Sequence, residues 1–391
     1  MARKLLSFSL VKKMLNLPTP SRAAGGDLTL GKKSSINTRL SSSSGLILIV
    51  VLWILMILTV LTVGIGRMAS VEVALLKHAL GQLKTKYIGW GAVSYAFYQI
   101  KRDIQDEKTG KFDSLYECGL KLDEDKTQED LFKNIPLGEG FFKISYLLKN
   151  KNKEEEVFGF QDEERKINLN AITVENYSIL HNLIVDLDFD ETTAETVAAS
   201  IVDWHDQDSQ VTNNAFGAEE DYYQGLANPF HCKNLPFDSI QELFLVRGMT
   251  PELFDRLKDY VTVFPKDAPV LLVNLNTAPE IVVRALARNF SGIRTNTELE
   301  DADSLSRKLV TYRAGDDEKE MTQDDRTIDM NNLGLNAKEQ VIYLALERNS
   351  TQVSHYFRLK IAAVHELSGV SSVIETVIFR DNLSILSWER E

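Results

Sequence analysis

The chain has 391 residues, with 44 basic and 56 acidic side chains. Its first 44 residues hold eight of the basic residues and one acidic residue, which leaves 36 basic and 55 acidic residues and a net charge of −19 for the remainder. A surface this acidic repels nucleic acid and anionic membranes, which excludes binding to either by charge attraction, and it suits divalent cations.

An uncharged run extends from Gly45 to Gly66 and consists almost entirely of Leu, Ile, Val, Met and Thr. As a helix, its 22 residues would reach about 33 Å, enough to cross the ~30 Å hydrocarbon core of a bilayer. The run is too long for a secretory signal peptide, and no small-residue cleavage site follows it. We therefore predict a transmembrane helix over residues 46–66; the alternative is a buried helix of a soluble core.

Charge predicts the orientation of this helix. The basic residues that precede it place residues 1–45 in the cytoplasm by the positive-inside rule. The chain after Arg67 then lies on the other side of the membrane.

The apolar pattern continues beyond the membrane segment as a predicted amphipathic helix over residues 67–103. Its apolar residues recur at intervals of three, four and seven, and the lysines lie off this stripe. The stripe consists of Val73, Leu76, Leu80, Leu83, Tyr87, Trp90 and Phe97. We expect the stripe to pack against the chain's own domain.

A basic leader, a glycine, an uninterrupted apolar helix and an amphipathic extension together resemble the precursors of the type IV pilin-like class. The resemblance implies that a prepilin peptidase cuts between Gly45 and Leu46. The leader is longer than is usual in this class, and Met14 is an alternative start.

Most members of that class have a Glu five residues after the cut, and its carboxylate meets the N-terminal amine of the neighbouring subunit. Here the position is Val50. An unpaired carboxylate is costly inside a bilayer, so a subunit with nothing above it has no use for one. The resemblance thus indicates a subunit at a filament tip; the alternative is an ordinary single-pass anchor.

Two β-rich blocks frame the rest of the chain. Residues 104–165 contain the predicted strands SLYECGL, GFFKISYLL and EEVFGF, and residues 348–391 contain SHYFRLKIAAVHE, SSVIETVIFR and LSILSWER. Residues 166–347 are mostly helical in pattern. Because neither β block alone has enough core, we predict an α+β fold, with a small antiparallel, pilin-like sheet interrupted by a large, mostly α-helical insertion.

The insertion contains an internal repeat, because KINLNAITVENYSILHNLI at 166–184 is echoed by LVNLNTAPEIVVRALA at 272–287. In the second copy, Thr277 and Glu280 form a Thr-x-x-Glu pattern that predicts a helix start with a capping box. Asn276 is expected to bond to nearby backbone, as is its counterpart Asn170.

A further unit, FDSIQELFLVRGMTPELFDRLKDYVTVF, places a turn at Gly248 and a helix start at Thr250. The helix pairs that begin with the Asn-x-Asn-Thr-Ala pattern of the repeat are similar to helix-hairpin-helix or SAM-like modules, and many helix-hairpin-helix modules bind DNA backbone. A DNA-binding membrane protein is therefore an alternative function. The acidic charge argues against phosphate binding, and SGI at 291–293 stands where that motif has a Gly-hydrophobe-Gly hairpin.

The densest set of carboxylates lies in IVDWHDQDSQVTNNAFGAEEDYYQGL. Six acidic residues fall there within nineteen positions: Asp203, Asp206, Asp208, Glu219, Glu220 and Asp221. Oxygen ligands at this density suit calcium, whereas His205, His231 and Cys232 lack the spacing of a zinc site. The alternative is a solvated acidic loop. No nucleophile accompanies these carboxylates, so we predict that the protein is not an enzyme.

Four motifs in order, SIVDWHDQDS, GAEEDYY, NLPFDSIQELFLVRGMTPELFDRL and VNLNTAPE, resemble the general secretion pathway protein K family, the large minor pseudopilins of type II secretion systems. The resemblance implies an inner-membrane protein whose periplasmic part lies at the tip of the pseudopilus, on the filament of major pseudopilins. It also implies association with the minor pseudopilins I and J, and calcium in the helical domain. A minor pilin of a related type IV pilus is the alternative.

Two cysteines, Cys118 and Cys232, occur in the chain, one in the first β block and one in the insertion. An oxidising periplasm permits a disulfide between them, and the sequence leaves this pairing open.

Overall fold

The computed structural model describes residues 44–107, 109–123, 125–150, 153–289 and 296–390. The chain divides into two units, residues 1–69 and 70–391. Nearly all of the predicted leader, residues 1–43, lies outside the described residues, as does the segment SGI at 291–293.

The described part of the first unit is the beginning of helix α1, which runs over Ser44–Ile104. All side chains from residue 45 to residue 69 are exposed. The most apolar 18-residue window of this helix has a mean hydropathy of 3.2, which is sufficient for a membrane-spanning segment. One long apolar N-terminal helix of this kind fits a single-pass membrane anchor.

The described strands of the second unit are, in chain order, β1 (Ile135–Leu137), β2 (Gly140–Asn150), β3 (Lys153–Phe158), β4 (Gln161–Asp162), β5 (Ile167–Asn168), β6 (Val261–Thr262), β7 (Val273–Asn274), β8 (Ser350–Thr351), β9 (Tyr356–His365), β10 (Val370–Phe379) and β11 (Ser384–Arg390). The main sheet is antiparallel and has the order β1-β2-β9-β10-β11, with β3 paired to β2 and β4 paired to β9. Strands from both predicted β blocks thus form one sheet, as expected from their small individual cores.

The remaining described helices are α2 (Gln128–Phe132), α3 (Ser178–Asp186), α4 (Glu191–His205), α5 (Glu220–Gln224), α6 (Pro251–Leu257), α7 (Glu280–Arg288), α8 (Asn296–Arg313) and α9 (Ala337–Glu347). Helices α3 to α9 lie between strands β5 and β8, so the helical segment interrupts the main sheet in the chain order. Their apolar faces share one continuous buried core, to which α3, α4 and α7 contribute most of their apolar side chains. The two parallel pairs β5–β6 and β7–β8 are only two residues long.

The C-terminal part of α1 packs on the main sheet through small and β-branched residues. Its buried residues are Ile88, Ala92, Val93, Ala96 and Ile100. The helix lies so close to β10 that a Cβ added at Gly89 would be 2.1 Å from Cδ1 of Ile374. The expectation that the stripe of large residues packs against the chain's own domain is confirmed only for its C-terminal part, where Trp90 stacks on Trp388 and Phe97 packs against the same core. It is wrong for the preceding part, since Leu80 and Tyr87 are 55% and 66% exposed. Sequence periodicity cannot decide between two apolar faces of one helix.

The segment SLYECGL, predicted as a strand, is a folded loop in the structure. Asp113 causes this difference, because its carboxylate accepts the N–H of Gly119 at 2.6 Å and so turns the chain back. Gly119 has a φ of +62°, a conformation that favours glycine. The hydroxyl of Ser114 also accepts the N–H of Glu117 at 3.1 Å.

Helix starts in the insertion were predictable where the signal was local. Thr250 caps α6 with Pro251 in the first turn, and Gly248 precedes it with a φ of +82°. The predicted Thr277 capping box is wrong, because α7 begins after Pro279 without a side-chain cap. The hydroxyl of Thr277 instead donates to the buried carboxylate of Asp162 at 2.5 Å, a contact between residues 115 positions apart.

Asn170 and Asn276 bond to backbone groups, as expected, but to segments that are distant in the chain. Asn170 accepts the N–H of Phe237 at 2.7 Å and donates to the carbonyl of Val263 at 3.0 Å. Asn276 accepts the N–H of Ile328 at 2.9 Å. Each amide therefore fixes a long loop of the insertion.

Five consecutive charged residues, 162–166, are all buried where the sheet joins the insertion. Glu163 lies between two cations, with Nε of Arg358 at 2.6 Å and Nζ of Lys166 at 2.9 Å from its Oε1. Glu164 has no such cation beside it among the residues that the structure describes, and its carboxylate accepts the backbone N–H of His355. A buried charge is costly unless it is paired, so these adjacent glutamates differ in their energetics.

Candidate metal centre

Three carboxylates converge near the end of helix α4. Asp203 lies in the last turn of α4, Asp206 is the residue that ends it, and Glu219 directly precedes α5. One oxygen from each lies within 4.8 Å of the other two. Three negative groups at this separation repel one another, so a cation placed among them would stabilise the folded chain.

Asp203 is fixed by the loop that follows it. Its Oδ1 accepts the N–H of Thr212 at 2.8 Å, and its Oδ2 accepts the N–H of Ala218 at 2.6 Å. Gly217 lies so close that an added Cβ would be 2.2 Å from Oδ2 of Asp203. Arg247 holds the same loop from outside by donating to the carbonyl of Gly217 at 2.8 Å. The loop is therefore built around Asp203 and carries Glu219 into position.

The other two carboxylates, Asp206 and Glu219, have buried oxygens that accept no hydrogen bond among the described residues. Glu219 is 5% exposed, and within the described part of the chain neither of its oxygens accepts a hydrogen bond. The same holds for Oδ1 of Asp206. Buried polar atoms in proteins are nearly always satisfied, so these atoms fit the ligands of a bound cation.

Burial and mutual repulsion favour the protonated forms of these groups. Burial, together with the charges of Asp203 and Asp206, raises the pKa of Glu219 to about 7. Burial and the nearby Asp208 raise the pKa of Asp206 to about 6. Burial also raises the pKa of Asp203. A divalent cation would compete with protons for this site at neutral pH.

The structure does not bring the remaining predicted ligands into this cluster. Glu220 binds the imidazole of His231 at 2.6 Å and the N–H of Cys232 at 2.8 Å. Asp208 and Asp221 are exposed, and Asp208 accepts the N–H of Gln210 at 2.7 Å. The set that the geometry supports is Asp203, Asp206 and Glu219, with Asp208 acting on Asp206 through its charge.

The chemistry of the donors favours a hard cation. The carboxylates offer only oxygen, the ligand that calcium and magnesium prefer. Cys232 lies beside the cluster, but burial and the nearby Glu219 raise the pKa of its thiol to about 12, which disfavours a thiolate ligand for zinc. Both Cys232 and Cys118 are buried free thiols, so the disulfide left open by the sequence is not formed.

The positions predicted for processing lie at the start of α1. Gly45, Leu46 and Val50 fall within its first two turns and are exposed. Cleavage after Gly45 and the role of Val50 stay predictions.

The segment that holds the carboxylates is similar to known proteins. Residues 165–266 match the model of the family described as Type II secretion system (T2SS), protein K. The chain is 38% identical over 95 residues to the Type II secretion system protein K of Aeromonas hydrophila, which is 24% of this chain and 28% of that protein. It is 34% identical over 108 residues to the protein of that name from Pectobacterium carotovorum subsp. carotovorum, which is 28% and 32% of the two chains. The alignments thus span about a third of the length of these curated relatives.

The structural similarity to known proteins covers more of the chain than the sequence similarity does. A chain in the crystal structure of the GspK-GspI-GspJ complex, from the Type 2 Secretion System of enterotoxigenic Escherichia coli, superposes with a TM-score of 0.56. This superposition covers 79% of the present chain and 98% of the other, at 19% sequence identity. At this identity the likeness shows a shared fold, namely a long N-terminal helix with a mixed helical and antiparallel-sheet body.

Proposed function

We propose that this chain is a minor pseudopilin at the tip of the pseudopilus of a type II secretion system. The observation that carries the proposal is the family match over residues 165–266, the segment that contains all three converging carboxylates. The proposed role is structural rather than enzymatic: the protein supports pseudopilus assembly and thereby export across the outer membrane. DNA binding is not favoured, because the matched family is a secretion-system protein and the chain is acidic.

The proposed partners are the minor pseudopilins I and J and the filament of major pseudopilins. The superposed structure is a complex of GspK with GspI and GspJ, and this supports the first two partners. The exposed part of the α1 stripe, up to Tyr87, supports helix-to-helix contacts, because Leu80, Leu83 and Tyr87 have large side chains that are uncovered in the isolated chain. Val50, in place of a Glu, supports a position with no subunit above it.

The proposed topology is a cytoplasmic leader, a single crossing of the inner membrane and a periplasmic body. The basic residues before Gly45 and the apolar length of α1 support it. The proposed fold assignment is a pilin-like sheet that carries an insertion with helix-hairpin-helix or SAM-like repeats, and the equivalent positions of Asn170 and Asn276 before α3 and α7 support the repeat.

The proposed cofactor of the carboxylate cluster is calcium. Oxygen ligands, the unsatisfied oxygens of Glu219 and the absence of any nearby thiolate among the described residues support it. Asp203, Asp206 and Glu219 would hold the ion, and the ion would neutralise their repulsion and tie the end of α4 to the start of α5.

Processing by a prepilin peptidase tests the proposal. Co-expression with the peptidase should shorten the chain to one that begins at Leu46, because the enzyme cuts before the apolar helix and leaves it in place. Gly45→Val should block the cut, since a branched side chain obstructs close approach of the enzyme. Intact-mass spectrometry measures both results.

Gly64→Val is the matched control, because it makes the same exchange at another exposed glycine of α1. This variant should be cut like the wild type. Cleavage after the apolar run, or cleavage of the Gly45→Val variant to the same extent as the wild type, would contradict the assignment.

A further inference from the structure

A cavity of about 720 Å³ lies between the β2–β3 hairpin and the end of helix α8 with the loop that follows it. On the sheet side it is lined by Leu148 of β2 and by four consecutive residues of β3, Glu155 to Phe158. Side chains of consecutive strand residues point to opposite faces, so a cavity lined by all four runs along the edge of β3. The cavity shares no residue with the carboxylate cluster.

Strand β3 has one unpaired edge, since it pairs with β2 alone among the described strands. The N–H of Gly159 donates to the carbonyl of Ile144 at 3.1 Å, one position beyond the pair of Phe158 with Ser145. In an antiparallel ladder, residues that bond to the neighbouring strand alternate with residues whose backbone groups point away from it. The N–H and C=O groups of Glu156 and Phe158 therefore point away from β2, and in the described chain no other strand or loop pairs with them through its backbone.

The wall of this cavity is acidic. Three of its five carboxylates bind cations, namely Glu129 with Lys133, Glu156 with Lys143, and Glu320 with Arg313. The other two, Glu155 and Glu318, are exposed and form no ion pair with a described side chain. Lys319 also lines the cavity, which leaves the wall with a clear excess of negative charge. A positively charged ligand would be attracted to it.

The rest of the wall is apolar. Val310, Ala314 and Met321 lie on the side opposite the strand edge, and Leu148 and Val157 lie on the strand side. An unpaired strand edge beside apolar side chains is the arrangement that recognises an extended peptide, because backbone hydrogen bonds give affinity and side-chain contacts give specificity.

Charge decides which extended segment fits this edge. Strand β3 reads KEEEVF, so pairing with a second copy of itself would bring glutamates opposite glutamates, and like charges in facing positions destabilise a sheet. A segment with lysine or arginine would instead meet Glu155 and Glu318. Charged residues can also serve only to keep strand edges apart, and the experiment below separates that role from binding.

We propose that the outer edge of β3 binds an extended segment of another protein, which carries both basic and apolar side chains and adds a strand to the β2–β3 hairpin. The proposal is independent of the pseudopilin assignment, because it rests on the cavity, the strand edge and the charges alone.

Peptide binding to the full-length chain in a neutral detergent tests the proposal. The probe is a fluorescent peptide of three Lys-Val repeats, and fluorescence anisotropy at low ionic strength measures its binding. We expect saturable binding of this peptide and none of the matching peptide of three Glu-Val repeats. A Lys-Val peptide with a methyl group on every backbone nitrogen keeps its charges but cannot donate to the strand. It should bind about tenfold more weakly or worse, since the backbone hydrogen bonds are lost.

Charge reversal at the cavity locates the bound peptide. Glu155→Lys should weaken binding of the Lys-Val peptide about fivefold or more, because attraction becomes repulsion. The matched control is Glu366→Lys, which reverses an exposed carboxylate between β9 and β10 that does not line the cavity. This variant should bind the peptide like the wild type.

A second pair of variants tests the backbone of the strand edge. Glu156→Ala and Glu156→Pro both remove the carboxylate, but only proline removes the N–H that points away from β2, and proline is tolerated at such an edge position. We expect Glu156→Pro to bind the Lys-Val peptide several-fold more weakly than Glu156→Ala. Melting curves show whether both variants fold, and the methylated peptide decides the matter if the proline variant does not.

Three outcomes would overturn the proposal. Without saturable binding of the Lys-Val peptide, the glutamates of β3 only keep strand edges apart. Equal binding of the methylated peptide would show attraction by charge without strand pairing. Equal binding to the wild type and to Glu155→Lys would place the peptide elsewhere on the protein.

Discussion

Calcium should raise the melting temperature of the full-length chain in detergent by several degrees over the metal-free protein, and Glu219→Gln should abolish most of this rise. A ligand that binds only the folded state adds about 2.7 kcal/mol to the free energy of unfolding at a hundred times its Kd. In the metal-free protein the same variant should be slightly more stable than the wild type, because it removes a buried carboxylate whose oxygens accept no hydrogen bond from any described residue. Differential scanning calorimetry measures both effects.

Asp221→Asn is the matched control for this experiment. Asp221 is exposed and lies two residues from Glu219, but outside the cluster of three. The calcium-dependent rise should survive in this variant. If protein shown to be metal-free at the start has the same melting temperature with calcium and with a chelator, the calcium site is contradicted and the segment is a solvated acidic loop.

The calcium effect should depend on pH in a defined direction. Calcium must displace protons from Glu219 and Asp206, whose pKa values are raised to about 7 and about 6, mainly by burial. The rise in melting temperature should therefore be largest above pH 7 and shrink as the pH falls through 7 and then 6. The metal-free protein should show the opposite trend. Its folded state retains these protons where the unfolded chain has lost them, so its stability falls as the pH rises through this window.

Glu163→Gln and Glu164→Gln should have opposite effects on stability although the two residues are adjacent and both buried. Burial alone would raise the pKa of Glu163, but Arg358 and Lys166 more than offset it and hold this pKa well below its usual range. Removing the charge of Glu163 takes its ion pair from the buried Lys166 and leaves the partly exposed Arg358 with only the more distant Glu375, which should cost about 3–5 kcal/mol at neutral pH. Equilibrium denaturation in urea measures the difference.

Within the described part of the chain no cation pairs with Glu164, and burial together with Asp162 raises its pKa to about 8. The folded protein keeps this proton from pH 4.5 to 8, where the unfolded chain has lost it, so the contribution of Glu164 to stability falls as the pH rises through that window. Glutamine reproduces the neutral form. Glu164→Gln should therefore match the wild type near pH 5 and be more stable than it at pH 8.5. A loss of stability in Glu164→Gln at both pH values, with Glu163→Gln tolerated, would contradict this account of the junction.

The sequence predicted those elements whose signals are local. The cap at Thr250, the strands of both β blocks after residue 140 and the length of the apolar helix follow from patterns of a few neighbouring residues. The failures have tertiary causes. Thr277 does not cap α7, because its hydroxyl donates a hydrogen bond to Asp162, which is distant in the chain. SLYECGL is a loop because the carboxylate of Asp113 accepts the N–H of Gly119.

The candidate site shows the same limit. The density of acidic residues alone indicated a cation site. Whether Glu219 or Glu220 belongs to that site depends on where α5 begins, since adjacent residues at a helix start point in different directions. The segment DEERK at 162–166 has the composition of a solvated loop, and its complete burial depends on Arg358, Thr262 and His355, which other strands and loops supply. No periodicity within the segment signals such partners.

Co-purification from membranes tests the central proposal most directly. The full-length chain, tagged at its C-terminus and expressed with the minor pseudopilins I and J of its own secretion system, should be isolated in calcium and mild detergent with both partners in comparable amounts. Quantitative mass spectrometry of the eluate measures this ratio. A chain that still melts higher with calcium, and so is folded, but repeatedly elutes without I and J while both are present in the extract, would contradict its assignment as the tip pseudopilin.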